Sequence, residues 1–304
     1  MAEKLNIQKI TKFLNTKYKE YSLATVEERA IPALTDGLKP GARKIVNAMF
    51  KGSTKNGDTV KLLALSGDTM KHSLYGHGDS SLNGTIITLS KDFLNFYNPL
   101  EIDGQAGSLR APDSVGSPRY LYIRKSRWAD LVYKTDYDLL KFIEEEGQEV
   151  EAENYLPIVP NCLSNLAMGI ANGYSFHTMS WHPIDIINAC IEVLKARADK
   201  KDKITVEIRP YLRNIKQSNW KFEEGHWNCY GEWKLNQSKD LMIVTDLPAD
   251  TTYNDFEKLL NKLYEKEYIK DYKNMSEDGN VHYEIIFPKK QLEREVKKDK
   301  KFCK

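Results

Sequence analysis

The chain has 304 residues, 41% of them hydrophobic and 29% charged, which places it among globular chains rather than disordered ones. No apolar stretch approaches the ~20 residues needed to span a bilayer, and no apolar run follows the N-terminal Met-Ala-Glu-Lys, so no membrane anchor or signal peptide is expected. The net charge of +2 does not by itself announce a nucleic-acid binder.

In chain order, Leu5, Ile7, Ile10, Phe13, Leu14 and Tyr18 recur at helical spacing and predict a helix over 4–20. The run Thr35-Asp36-Gly37-Leu38-Lys39-Pro40-Gly41 reads as a turn. A helix over Ala42–Phe50 follows, carrying Arg43 and Lys44, and a short one is expected over 59–66. Gly76-His77-Gly78-Asp79-Ser80-Ser81 opens another helix, with Leu82, Ile86 and Leu89 facing inward. Short helices in succession, one of them basic, suit a helix-turn-helix or winged-helix DNA reader. The glycine-rich stretch 101–119 reads as a loop, and Tyr120-Leu121-Tyr122-Ile123-Arg124 as a strand. Leu156-Pro157-Ile158-Val159-Pro160 excludes helix interior. An amphipathic helix is expected over 183–197, through Ile184, Ile187, Ile191 and Leu194. A β-rich part over 204–243 takes Val206, Ile208, Tyr211, Trp233 and Leu235 as strand residues. A helix over 254–266 through Phe256, Leu259, Leu260 and Leu263 precedes a strand at 280–287, and a lysine-rich tail ends the chain.

Charge is segregated along the sequence. Between Lys39 and Lys71 stand Lys39, Arg43, Lys44, Lys51, Lys55, Lys61 and Lys71, against only Asp58 and Asp68. Such clustering can present a positive face to phosphates although the total is near neutral. Cys162, Cys190, Cys229 and Cys303 are dispersed, with no Cys-x-x-Cys pair. This argues against a zinc site and for reduced thiols in a cytoplasmic protein.

Five motifs stand in a fixed order: Glu28-Arg29-Ala30-Ile31-Pro32 leading to Asp36-Gly37-Leu38-Lys39-Pro40-Gly41-Ala42-Arg43; His77-Gly78-Asp79-Ser80; Asp103-Gly104-Gln105; Ser117-Pro118-Arg119-Tyr120; and Gly169-Ile170-Ala171-Asn172-Gly173. Their order and spacing resemble the cleavage subunit of type IIA DNA topoisomerases. That family includes the gyrase A and topoisomerase IV A subunits, the central part of eukaryotic topoisomerase II and the medium subunit of T-even phage topoisomerases. The Ser-Pro-Arg-Tyr form and Tyr155-Leu156-Pro157-Ile158-Val159-Pro160 look most like the eukaryotic and phage branches.

The resemblance implies an α+β fold: an N-terminal arm (1–24), a winged-helix domain with the catalytic tyrosine (25–150), a β-rich tower (151–290), and a charged tail (291–304) that begins an exit-gate coiled coil absent from this chain. It implies that Tyr120 breaks the DNA strand through a transient 5′-phosphotyrosyl link, with Arg119 and His77 beside it. A free tyrosine hydroxyl titrates near ~10, so cationic neighbours are needed to activate it. Arg29, Lys39, Arg43 and Lys44 are implied phosphate contacts, and Ile170 a wedge between base pairs. The family often has a second histidine or a proline before its histidine; Gly76 stands there, and Ala42 stands where the gyrase branch often has a histidine.

The family's Mg²⁺-binding Toprim acids are missing, and Asp136-Tyr137-Asp138 reads as surface. No Walker-type loop is found. Mg²⁺ and ATP are therefore expected on a partner Toprim/ATPase subunit. The other partners expected are double-stranded DNA, a second copy of this chain and a separate chain for the exit gate, in a nucleoid-associated, cytoplasmic setting. The alternative is a non-catalytic winged-helix DNA-binding protein on the same scaffold; a metal-dependent nuclease would need a local carboxylate cluster that is not visible.

Overall fold

The computed structural model describes residues 9–200, 204–236, 240–277 and 279–289. The start of the arm, with Leu5 and Ile7, and the tail at 291–304 lie outside the described residues. The internal contacts divide the chain into two compact units. One holds the residues up to Ser90, Asn95–Asp103 and Pro118–Ile208; the other holds Lys91–Leu94, Gly104–Ser117 and the residues from Arg209 onward. Residues 151–208, which the sequence places with the tower, thus cluster with the helical unit, and 104–117 cluster with the other.

The first unit begins with a helical arm: α1 (Ile10–Phe13), a π-helical stretch Leu14–Tyr18, α2 (Lys19–Thr25) and a second π-helical stretch Val26–Ala30. Three further helices form its centre: α3 (Pro40–Lys51), α4 (Leu62–Ser73) and α5 (Asp79–Ser90). Pro40 at the first turn fixes φ for α3 and gives up an N–H that has no partner there anyway. Ile45, Val46 and Met49 of α3, Leu62 and Leu65 of α4, and Leu82 and Ile86 of α5 are buried together in the core. Polar pins cross between the helices: Asn47 Nδ2 donates to Ser73 Oγ at 3.0 Å, and Ser66 Oγ to Asn83 Oδ1 at 2.5 Å.

Beside the helices lies an antiparallel sheet in the order β1 (Val60–Lys61), β3 (Tyr122–Lys125), β2 (Leu100–Asp103). Helices plus this small sheet make the expected winged-helix arrangement. The helix expected over 59–66 starts only at Leu62, because Val60 pairs with Ile123 in the sheet. That pairing is non-local and overrides helical propensity. The strand expected from Tyr120 begins at Tyr122; Pro118–Tyr120 is a 3₁₀ turn.

The unit is completed by α6 (Arg127–Ala129), the hairpin β4 (Phe142–Glu145) and β5 (Gln148–Ala152), α7 (Asn161–Ser164), the hairpin β6 (Met168–Ala171) and β7 (Tyr174–His177), and α8 (Pro183–Ala198). The α8 helix forms as expected; its apolar stripe Ile184, Ile187, Ile191 and Leu194 is exposed, and Ile186 is the buried isoleucine.

The second unit carries the hairpin β8 (Trp220–Glu223) and β9 (His226–Cys229) and a four-stranded antiparallel sheet. The sheet runs in the order β10 (Glu232–Asn236), β11 (Leu241–Asp246), β13 (Tyr283–Ile286), β12 (Asp271–Asn274). Helix α9 (Tyr253–Glu265) covers it, capped by the Thr252 hydroxyl accepting from Asp255 N at 3.2 Å. Leu260, Val244, Ile285 and Tyr283 form the core, with Phe256 edge-on to Tyr283. Trp233 and Leu235 lie on β10 as expected. Val206, Ile208 and Tyr211 are in irregular backbone, where Pro210 offers no N–H to a ladder. Of the apolar residues on α9, Leu260 is buried and Leu259 is exposed.

One loop in this unit is held tightly. Arg110, 6% exposed, donates from Nη2 to Asp246 Oδ1 at 2.8 Å and from Nη1 to the Thr251 carbonyl at 3.0 Å. It also donates to the carbonyls of Leu247 and Pro248. Asn219 Nδ2 donates to the other oxygen of Asp246 at 2.9 Å.

Candidate nucleic-acid interface

The residues picked out by the motifs separate into three groups. The first surrounds Tyr120. The Pro118–Tyr120 turn packs against α4. Leu121 is 1% exposed and its carbonyl accepts from Leu62 N at 2.9 Å, which nails the next residue to the start of α4. From Tyr122 the chain is locked into the sheet, with Ile102, Ile123 and Val60 in register. A buried anchor on one side of the turn thus leaves Tyr120 72% exposed, with Arg119 exposed beside it. A strand tyrosine with a buried ring is excluded.

His77 is also exposed, in the turn that joins α4 to α5. Its ring lies edge-on to Tyr75 at 5.5 Å. Helix α5 opens two residues later with Asp79 in its first turn and Ser80 N donating to Asp79 Oδ1 at 2.8 Å. His77 therefore stands at the positive end of a helix dipole.

The second group meets at the β6–β7 hairpin. Ile170 is 73% exposed on β6, so it is not a core residue. Lys39 Nζ donates to the Met168 carbonyl, at 2.6 Å, on that same strand. A Cβ on Gly169 would collide with the carbonyl oxygen of Ala30, so the strand lies directly on the end of the arm's second π-helical stretch. Arg29 is exposed next to that seat. Asn172 Nδ2 adds a long hydrogen bond of 3.4 Å to Ser22 Oγ. Two motifs separated by over a hundred residues are thereby brought together around Ile170.

The third group, Arg43 and Lys44, is engaged with partners within the protein rather than left free for a phosphate. Arg43 is 8% exposed. Its Nε donates to Asp36 Oδ2 at 2.8 Å and its Nη2 to the Leu38 carbonyl at 2.9 Å. Asp36, fully buried, also accepts from Leu38 N at 2.9 Å and Tyr155 N at 3.1 Å. Burial pushes the Asp36 carboxyl above the usual range, while Arg43 and the two amides pull it down. Beneath it Asn161 Nδ2 donates to Tyr133 Oη at 2.7 Å, and burial raises the Tyr133 phenol far above its ordinary value. Gly37, at φ +71°, fits because a side chain there would meet the backbone of Cys162. Arg43 therefore locks the turn that presents Lys39. Lys44 is likewise engaged, donating to the Ser73 carbonyl at 3.0 Å and pairing with Glu151 at 3.4 Å. Burial raises the Glu151 carboxyl and Lys44 lowers it.

Carboxylates near the Tyr120 strand do not form a metal cage. Glu101 on β2 is taken by Arg124, whose Nε donates to it at 2.6 Å. Asp136 and Asp138 are exposed around a 3₁₀ turn. Among the described residues no group of three or more His, Cys, Asp or Glu is placed to hold a metal ion. The family's magnesium therefore does not fit onto these residues by themselves.

The sequence order and this geometry have a counterpart in known proteins. The family model for the A subunit of DNA gyrase and topoisomerase IV matches residues 29–303. The chain belongs to that family. It is 33% identical over 286 residues to the mitochondrial DNA topoisomerase 2 of Dictyostelium discoideum, covering 93% of this chain and 21% of that protein. It is 30% identical to the DNA topoisomerase-like protein cin-4 of Caenorhabditis elegans, covering 98% of this chain and 36% of that one. Among solved structures, the DNA-binding, cleavage and re-ligation domain of Plasmodium falciparum topoisomerase II matches with a TM-score of 0.81 and 30% identity, over 94% of this chain and 39% of that one. The chain thus spans a minor part of these relatives' lengths. Of the motif residues, Tyr120, Arg119, His77, Arg29 and Ile170 are on the surface, Lys39 and Lys44 are half-buried, and Arg43 is buried.

What sequence reasoning missed is the buried set Asp36, Tyr133, Tyr155 and Asn161, and the contact of Gly169 with Ala30. Asp36-Gly37 and Gly169 stood inside the quoted motifs, but nothing in one sequence marks which motif residues turn inward. Among the described residues, no helix is long and apolar enough to cross a membrane.

Proposed function

We propose that this chain breaks and rejoins DNA as the cleavage part of a type IIA topoisomerase, with Tyr120 as the nucleophile. The observation that carries the reading is the exposure of Tyr120 on a turn held by the buried Leu121 and the β1-β3-β2 sheet. A nucleophile on a rigid seat meets a phosphate without first ordering itself.

In the proposed step the Tyr120 Oη attacks a backbone phosphorus. The new P–O bond forms as the bond to the deoxyribose 3′-oxygen breaks. The phenolic proton goes to solvent, and the 3′-oxygen leaves protonated. The product is a 5′-phosphotyrosyl end, so the bond energy is kept and the reverse attack reseals the strand. Arg119 offers a forked donor to the phosphate. His77 adds a donor near the N-terminus of α5, where backbone amides favour an anion. Ile170, exposed on its hairpin, is the apolar wedge that unstacks a base step and bends the duplex. Two copies of the chain would cut the two strands. Magnesium and ATP belong to a Toprim/ATPase partner, and magnesium there would stabilise charge on the leaving oxygen.

The test is detergent trapping of protein–DNA adducts with the partner and Mg²⁺ present. The 304-residue chain should yield a covalent adduct that Tyr120→Phe does not. An adduct undiminished in Tyr120→Phe removes Tyr120 from the mechanism, and DNA binding with no adduct from either protein favours a non-catalytic winged-helix binder.

A further inference from the structure

Lys39 stands in a run where lysine ordinarily serves as a phosphate contact, yet its ammonium is already in use. It reaches 129 residues along the chain to the Met168 carbonyl, at 2.6 Å. Met168 opens β6, two residues before Ile170. Burial of the stem lowers the lysine pKa, so the ammonium is partly withdrawn from water and its bond to a carbonyl matters more.

The far end of the strut is fixed as firmly. Lys39 precedes Pro40, the first residue of α3, and the turn before it is locked by Arg43 bonding both Asp36 and the Leu38 carbonyl. The hairpin has little else to define its pose. It is two-stranded, pairing Gly169 with Phe176 and Ile170 with Ser175, and an isolated two-stranded hairpin is marginally stable in water. Among the described residues its other supports include the close approach of Gly169 to Ala30, the long bond from Asn172 to Ser22, and, at the hairpin base, the bonds of Thr178 N to the Ala167 carbonyl and of Ala167 N to Thr178 Oγ1, both at 2.8 Å.

We infer that Lys39 is a positioning residue: it braces the start of the β6–β7 hairpin against the N-terminus of α3, and so sets the height and angle at which Ile170 meets the duplex. This rests on the reading of Ile170 as the wedge. A side chain that must enter a base step has to resist being pushed back. A charge-assisted bond from a rigid helix start supplies that resistance.

The experiment compares Lys39→Met, Lys39→Arg, Ile170→Ala and the unaltered 304-residue chain. Backbone amide hydrogen exchange without DNA is read over 168–177, with α5 as the internal control. Duplex bending per bound molecule is read by end-to-end fluorescence transfer, and affinity over a salt series. Lys39→Met is expected to speed exchange in the hairpin about tenfold and leave α5 unchanged. It should also reduce bending toward the Ile170→Ala level. Lys39→Arg, which keeps a donor of similar reach, should restore most of both.

Unchanged hairpin exchange and bending in Lys39→Met, with the salt slope smaller by about one, would make Lys39 a phosphate contact and overturn the inference. Faster exchange in α5 as well would mean general destabilisation and would overturn it too. So would faster hairpin exchange with bending unchanged while Ile170→Ala loses it. If Ile170→Ala bends DNA like the unaltered chain, the wedge reading fails on its own, and the hairpin exchange still decides whether Lys39 is the brace.

Discussion

The Pro118–Tyr120 turn and the Asp36–Arg43 region both carry arginines from the family motifs, and they use them in opposite ways. Arg119 is left in solvent next to an exposed tyrosine. Arg43, only a helix turn or so into α3, is enclosed with a carboxylate and a carbonyl. The difference comes from what precedes each. Pro118 and the buried Leu121 force the first arginine's neighbourhood outward. Asp36, seven residues before Arg43, folds back and draws it inward. A motif preserves residues for chemistry and for the scaffold alike, and only packing tells the two apart.

The contrast can be broken first at Tyr120. Tyr120→Phe should cut covalent adduct formation by at least about a thousandfold, because only the nucleophilic oxygen is removed. Its melting temperature should stay within about 1 °C, because the hydroxyl is lost from an exposed ring. A large fall in stability would show that the turn is part of the core after all.

Arg43→Ala should behave in the reverse manner. It strands a buried Asp36 carboxylate, a loss of about 3–5 kcal/mol, which for a domain of this size lowers the melting temperature by roughly 10 °C. At temperatures where the variant remains folded, the salt slope of DNA binding should not change. A slope smaller by about one with stability intact would return Arg43 to the phosphate contacts.

Lys44→Met sharpens the same contrast on a smaller scale. Burial already raises the Glu151 carboxyl above its ordinary 4.5, and Lys44 opposes this. With the lysine gone the folded-state value rises further. A carboxyl raised in the folded state holds its proton more tightly there than in the unfolded chain. Stability is therefore greatest at low pH and falls as pH rises through the raised value. The variant should lose about 1–2 kcal/mol near neutrality and less near pH ~4, measured by denaturant unfolding across pH. An equal loss at both pH values would mean that the ion pair with Glu151 contributes nothing.

Ile170→Ala is the gentlest. An exposed side chain contributes within about 0.5 kcal/mol to stability, so the melting temperature should not move while DNA bending falls. A clear drop in melting temperature would mark Ile170 as a packing residue.

Much of the winged-helix part was legible because local signals agreed with the fold. The helix expected over Ala42–Phe50 is α3, which starts two residues earlier at Pro40, and Leu82, Ile86 and Leu89 mark the buried face of α5. The start of α4 was misread because Val60 is claimed by Ile123, a partner far away in sequence. The helix α8 was legible but the exposure of its stripe was not, because periodicity reports that a helix has an apolar stripe, not whether anything covers it. The strand residues expected at 206–211 have the right composition, but Val206, Ile208 and Tyr211 lie in irregular backbone. At the site, Tyr120 and Ile170 are exposed, whereas Arg43 is buried and Lys44 half-buried, although charge alone suggests that both face the solvent. Their burial depends on Asp36, Glu151 and Ser73, and no spacing rule connects those positions.

The clamp on Arg110 has a consequence in time as well as in space. The chain leaves one unit after Asp103, passes through the other as Gly104–Ser117, and returns at Pro118 to form the tyrosine turn. Arg110 finds its partners 136 to 141 residues later, at Asp246, Leu247, Pro248 and Thr251. On a ribosome adding about 5–20 residues per second, that gap lasts roughly 7–28 s. Throughout that interval Arg110 has none of its eventual acceptors. The seat of Tyr120 is built from Leu62, Leu121 and the β1-β3-β2 sheet, all translated by residue 125, so it can form while the arginine of the preceding segment still waits for its partners.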